Sequence, residues 1–171
     1  YEIANFDDLT ISAMAGYFRG RKERDATYLN GTGDIESSAT LGMSVNKKLG
    51  PWRFGFKVNR DFSDQVAGIS AAISTGYTYR IAPQIVLSVG ASLRWMNNDY
   101  AHGVYGIDDS QASLSILPVF DAQSGLESAS ISLTGLYFIN RQWTLTTVIS
   151  QSQLLSDAKT SPITHQENPY F

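Results

Sequence analysis

An all-β chain of long antiparallel strands is what the sequence predicts, on three observations. Apolar residues recur at every second position in segments of up to thirteen residues, a period that belongs to strands and that no amphipathic helix shows. The faces opposite these stripes carry Ser, Thr, Gly and a few basic residues, where a soluble sheet would show Lys and Glu to water. Short and long connections alternate along the chain. Together they predict an antiparallel transmembrane β-barrel of the outer-membrane type, with residues 1–171 as a single domain.

The segments follow in order. Residues 9–17 place Leu9, Ile11, Ala13, Ala15 and Tyr17 on one face, and residues 39–45 do the same with Ala39, Leu41, Met43 and Val45. In 52–59, Trp52, Phe54, Phe56 and Val58 oppose Arg53, Gly55, Lys57 and Asn59. The clearest cases are 69–81, with Ile69, Ile73 and Tyr77 on the apolar side, and 84–95, with Leu87, Leu93 and Trp95. Residues 128–139 and 143–152 complete seven strands, their small polar faces formed by Ser128, Ser130, Ser132 and Thr134, then Thr144, Thr146, Ser150 and Ser152. An ordinary strand has about five to six residues and a tilted membrane strand about nine to eleven, so most of these are long enough to span. Joins at 47–51, 82–83 and 140–141 are tight; those at 20–34, 61–67 and 97–127 are long and polar, the asymmetry of periplasmic turns and extracellular loops. An even strand number is required of a single-chain barrel, so at least one further strand is expected. Residues 1–6 have neither a basic start nor an apolar core, which fits a mature form without signal peptide. The stretch after Leu154 falls on the outer side, and Phe171 is not expected to be a barrel's terminal aromatic.

Composition narrows the function. A net charge of −3 and a pI near 5.3 give no attraction to phosphate backbones, so no nucleic-acid partner is expected. There is no cysteine, which removes disulfides, thiol catalysis and thiolate zinc sites. No window approaches the ~20 apolar residues of a membrane helix. Arg53, Lys57, Arg80 and Arg94 share the face opposite the apolar stripe and are expected to face the lumen, because a cation on the lipid face at mid-depth costs about 2–4 kcal/mol. The 97–127 stretch exceeds the ~12–15 residues of a structureless loop, so it is expected to fold back on the barrel or to serve an interaction; Tyr100, Tyr105, Leu117 and Phe120 are its apolar interaction candidates. The mixed-charge run Arg19, Arg21, Lys22, Glu23, Arg24 and Asp25 offers guanidinium groups to lipopolysaccharide phosphates. Asn30-Gly31-Thr32 is a turn. For chemistry, Asp99 and His102 are the one acid–base pair worth weighing at the rim, yet a lone loop His beside a turn cluster lacks the second His or nucleophile that a zinc or acyl-transfer site needs. His165 is distant in sequence. No catalytic residue, cofactor or metal is expected.

Four motifs, in order, carry a resemblance: LNGTGDIESSATLG at 29–42, SLRWMNNDYAHGVYGID at 92–108, QASLSILPVFDAQSGLES at 111–128, and NRQWTL with LLSDAKTSPI in 140–163. They resemble the MltA-interacting protein/OmpV family (MipA/OmpV) of Gram-negative outer-membrane proteins. Gly106 follows Tyr105 where that family usually has Phe, and the closing strand after the SPI motif is absent. The resemblance implies a barrel of about ten strands, hence a chain lacking N-terminal strand(s) and the last strand. It also implies a cell outer-membrane location and contact with outer-membrane lipid and lipopolysaccharide. For function it implies a non-enzymatic scaffold or envelope-interaction protein linking a lytic murein transglycosylase to a penicillin-binding protein. The alternatives are a small-solute transport barrel and, behind it, a rim-site enzyme using Asp99 and His102.

Overall fold

The computed structural model describes residues 1–63 and 66–165, so Phe171 and the side chain of His165 lie outside the described residues. Eight strands form one antiparallel sheet in sequence order: β1 (Glu2–Phe6), β2 (Leu9–Phe18), β3 (Ser38–Leu49), β4 (Trp52–Asp61), β5 (Ile69–Ala82), β6 (Ile85–Met96), β7 (Gly125–Phe138) and β8 (Thr144–Leu154). Seven match the alternating segments. The eighth, β1, is a correction to the count of seven, and alternation could not reveal it: it has five residues, and its register against β2 slips between Glu2 and Ala4. The sheet is open, since β1 and β8 are not hydrogen-bonded to each other. No helix is long and apolar enough to cross a membrane among the described residues.

Neighbouring strands meet through tight joins at one end. Gly50 accepts the positive φ of 57° that the β3–β4 turn demands before Pro51. At the other end lie the long segments, and these are not structureless. Between β6 and β7 are α1 (Asn98–Tyr105) and α2 (Asp109–Leu114), and after β8 come α3 (Ser156–Thr160) and α4 (Pro162–His165). The 97–127 segment, expected as a long loop that folds back or serves an interaction, thus carries two short helices over fourteen of its residues, and its last three residues already belong to β7.

Register divides the sheet into two faces. Across β3 to β7 one row runs Ser44, Lys57, Ala72, Arg94 and Ser128, and another Asn46, Gly55, Ser74, Ser92 and Ser130. The opposite face carries Met43, Val58, Ala71 and Trp95, then Val45, Phe56, Ile73 and Leu93. Ile69, Ile73, Tyr77, Leu87, Leu93 and Trp95 are half-buried to exposed, and none is packed into a closed core. Apart from Val86, the buried apolar side chains gather instead at the long-loop end. One cluster joins Ile35, Val66, Met96, Tyr100, Ala101, Tyr105, Ala122 and Ala158, and another joins Leu29, Ile107, Leu117 and Ile163. The accessible surface is 11319 Å², whereas a compact soluble monomer of this mass exposes about 8,300 Å². Large apolar side chains standing free on the sheet account for much of that excess, Ile131 and Ile149 at about two-thirds exposure among them.

Candidate functional site: the polar face and its cap

The loop-end segments form a cap over the polar face, and local sequence explains each piece. Asn97 opens α1: its side-chain oxygen accepts from the Tyr100 backbone N–H at 3.1 Å and from the Ile69 N–H at 2.8 Å, tying the helix to the start of β5. Asp108 opens α2 with a reciprocal capping box, its carboxylate accepting from Gln111 N–H while the Gln111 side chain accepts from Asp108 N–H. Gly31, at φ 87°, lets the 30–33 turn press on the end of α2, where a Cβ would lie 2.0 Å from the Leu114 carbonyl oxygen. Gln111 Nε2 then donates to the Thr32 carbonyl, and Ser161 Oγ donates to the Tyr105 carbonyl at 2.7 Å, bringing α4 in.

A β-bulge fastens the cap to the sheet. Arg94 stands opposite Ser128 but Trp95 stands opposite Leu126, so Glu127 is an extra residue on β7. Plain alternation would put Glu127 on the apolar face; the bulge re-aims it beneath α1. There its carboxylate is buried, 2.5 Å from Arg94 Nε, and accepts the Tyr105 hydroxyl at 2.8 Å. The Arg94 contact is an ion pair without hydrogen-bond alignment at Oε2. Arg94 Nη2 also donates to Tyr100 Oη at 2.9 Å and to Ser70 Oγ at 3.3 Å. Burial, reinforced by the Glu127 charge, pushes the Tyr105 phenol far up, and burial raises that of Tyr100 despite Arg94. Both phenols stay protonated, Tyr105 donating to Glu127 and Tyr100 accepting from Arg94.

Under this cap is a cavity of about 500 Å³ bordered by Met14, Gly16, Phe18, Lys57, Asn59, Asp61, Ser70, Arg94 and Tyr100. The buried Asp61 accepts from Ser38 Oγ at 2.6 Å and from Ser63 N–H at 2.8 Å. At the tight-turn end a smaller cavity of about 240 Å³ is bordered by Lys48, Arg53, Thr78 and Arg80, and Arg80 Nη1 donates to the Pro83 carbonyl. Arg53, Lys57, Arg80 and Arg94 thus share one face but divide into two pairs at its two ends.

Tyr100, Tyr105 and Leu117 are buried and Phe120 is half-buried, so these residues anchor the cap. Between β6 and β7 its exposed large apolar side chains are Leu114, Ile116 and Val119. In the basic run Arg21 Nη1 donates to the Val104 carbonyl at 3.2 Å, and Lys22 pairs with Glu36 at 2.7 Å and Asp34 at 3.3 Å. Asp99 and His102 are not brought together: Asp99 accepts from Asn97 Nδ2, whereas His102 Nδ1 lies 3.4 Å from the exposed Asp121. Among the described residues no hydroxyl hydrogen-bonds His102, and no cluster of three metal-ligating side chains exists. Glu127, Asp61 and Asn59 are the site residues that sequence reading passes over. A lone carboxylate at the head of an apolar segment was the one available signal for Glu127.

No curated protein and no solved structure gives a significant match. A family model does: the one described as MltA-interacting protein MipA matches residues 1–171. With that match over residues 1–171 and one all-β antiparallel sheet divided into an apolar and a polar face, the chain belongs to the MltA-interacting protein MipA family.

Proposed function

We propose that this chain is an outer-membrane β-barrel protein without enzymatic activity, acting as a scaffold that holds a murein transglycosylase of the MltA type at the envelope. Family membership carries the partner, through the interaction for which the family is described. The exposed apolar face carries the membrane, because so much unpartnered apolar surface on one side of a sheet is unfavourable in water and natural against lipid. Lipopolysaccharide at the loop end, and a penicillin-binding protein held together with the transglycosylase, belong to the same reading. Asp99 and His102 turn to different partners, Asn97 and Asp121, which supports a non-catalytic role. The polar face, with its cations and small side chains, favours a second reading as a solute-passing barrel; the cap across its loop end speaks against free passage.

Capture of a purified MltA-type transglycosylase by the full chain in detergent tests the scaffold. Binding is expected to survive Asp99→Ala and His102→Ala. Replacing the exposed Leu114, Ile116 and Val119 together by Ser leaves the buried clusters intact; loss of capture would place the partner on the cap, and retained capture would place it elsewhere on the molecule. No binding by the folded wild-type protein would refute the reading, and steady conductance in a planar bilayer would favour transport.

A further inference from the structure

We propose that the cavity under the cap binds a small, singly charged, hydroxylated organic acid of about sugar-acid size, with its carboxylate on Lys57. This goes beyond the scaffold reading and does not rest on it.

The space is built into the strands. Gly16 borders it, and the register places two more small residues, Gly42 and Ala72, beside its lining residues on the polar face. A Cβ on Gly42 would come within 2.3 Å of Asn59 Oδ1 and 2.4 Å of the Val58 carbonyl oxygen, and one on Gly16 within 2.7 Å of Thr40 Oγ1. A side chain at Gly42 would therefore run into the backbone of β4, and the volume of about 500 Å³ falls within the range of small-molecule sites, roughly 300–1,000 Å³.

Charge defines the occupant. Lys57 and Arg94 stand in one row on either side of Ala72, two strand spacings or about 10 Å apart. Arg94 is already neutralised by Glu127 and held by Tyr100 and Ser70. Lys57 borders the cavity with no ion-pair partner among the described residues. One cation is therefore open to a ligand. Four residues along β4, Asp61 borders the same cavity with a carboxylate whose two oxygens each accept one protein donor, leaving lone pairs for further donors. A ligand spanning the two meets an ammonium at one end and an acceptor at the other, with the Asn59 amide and the Ser70 hydroxyl between. That order suits a molecule with one acid group and several hydroxyls. A dianion would gain little more from Lys57 and would be repelled by Asp61.

The test titrates the full chain, folded in detergent micelles, with D-glucuronate, D-glucose and glucose 6-phosphate, using calorimetry and ligand-observed NMR. Glucuronate is expected to bind saturably, and glucose and glucose 6-phosphate at least about tenfold more weakly. Lys57→Gln is expected to weaken glucuronate about tenfold or more, the loss of a charge-assisted contact, while Lys57→Arg retains binding within a few-fold. Ala72→Leu, which fills the gap between the cations, is expected to abolish it with the strand circular dichroism unchanged. The proposal is overturned if the folded wild-type protein shows no saturable glucuronate binding, if glucose or the sugar phosphate binds equally well, or if Lys57→Gln binds as wild type does. Should Lys57→Gln fail to fold, Ala72→Leu and the ligand comparison decide alone.

Discussion

Leu93 and Arg94 are adjacent in sequence and opposite in environment, and this pair shows how much a single position on a strand decides. Leu93 is 39% exposed on the apolar face, while Arg94 reaches across the polar face to Glu127, Tyr100 and Ser70. The facing of both is legible from period-two alternation alone. The partner of Arg94 is not, because Glu127 is inward only through the bulge, and a bulge leaves no mark in a hydropathy pattern. The two positions are expected to respond differently to substitution. Leu93→Arg should reduce insertion of the refolded protein into vesicles, at a cost of about 2 kcal/mol, between the values for mid-membrane and interface. Arg94→Leu should insert as well as wild type, yet it leaves the buried Glu127 carboxylate without its counter-charge. The signature of that loss is faster amide exchange in α1 with the strands unchanged. Equal insertion of both variants would contradict the facing, and unchanged α1 exchange in Arg94→Leu would deny Glu127 its role in fastening the cap.

Among the elements, the long strands are legible and the short ones are not. Strands β2 to β8 repeat their pattern often enough to stand out, whereas the five residues of β1 with a register slip do not. The helices of the cap are hidden for a different reason: α1 and α2 are eight and six residues long, too short for a 3.6-residue period to emerge. Their caps were readable, since Asn97 and especially Asp108 with Gln111 three positions on are N-terminus signatures. Asp108 also makes α2 responsive to acid. Hydrogen bonds from the Ser110 hydroxyl and then the Gln111 N–H hold its carboxyl below the ordinary aspartate range. A pKa lowered on folding stabilises the folded state above the unfolded value of about 3.9, and that contribution disappears as pH falls through the lowered value. The first turn of α2 is therefore expected to fray at strongly acid pH, seen as lost protection of the Gln111 amide, while at neutral pH it stays protected. Asp108→Ala should show the frayed state at neutral pH as well. An α2 whose protection is the same at both pH values in wild type would remove Asp108 as its cap.

Taken whole, the molecule inverts the arrangement of a soluble β-sandwich: its buried apolar clusters lie at one end and its apolar sheet face is bare. The division of faces and the clustering of long segments at one end are legible because both follow from local pattern. Whether the sheet's two edges meet is not, because closure depends on curvature summed over every strand pair and no single segment encodes it. The aromatic residues give the membrane reading a length scale. At the tight-turn end Trp52 packs edge-on against Tyr77, its register partner, with ring centroids 4.9 Å apart, and Trp143 is exposed just before β8. Tyr137 pairs with Ile85 in the same zone, and Trp95 lies ten residues further along β6. Ten residues at about 3.3 Å each make about 33 Å along the strand, which a tilt of roughly 40° shortens to about 25 Å along the membrane normal, the height of the apolar band of an outer-membrane barrel. Trp52 and Trp143 should then sit at one interface and Trp95 at the other. Variants retaining one tryptophan each, the other two replaced by Phe, can be inserted into vesicles of lipids brominated at stepped acyl-chain depths. All three are expected to quench most with shallow bromines and least with those near the bilayer centre. An aqueous quencher added only outside oriented vesicles should reach Trp95 separately from Trp52 and Trp143. Strong quenching of any of them at the centre would refute the two-girdle placement, and no quenching by lipid at any depth would refute the membrane reading itself.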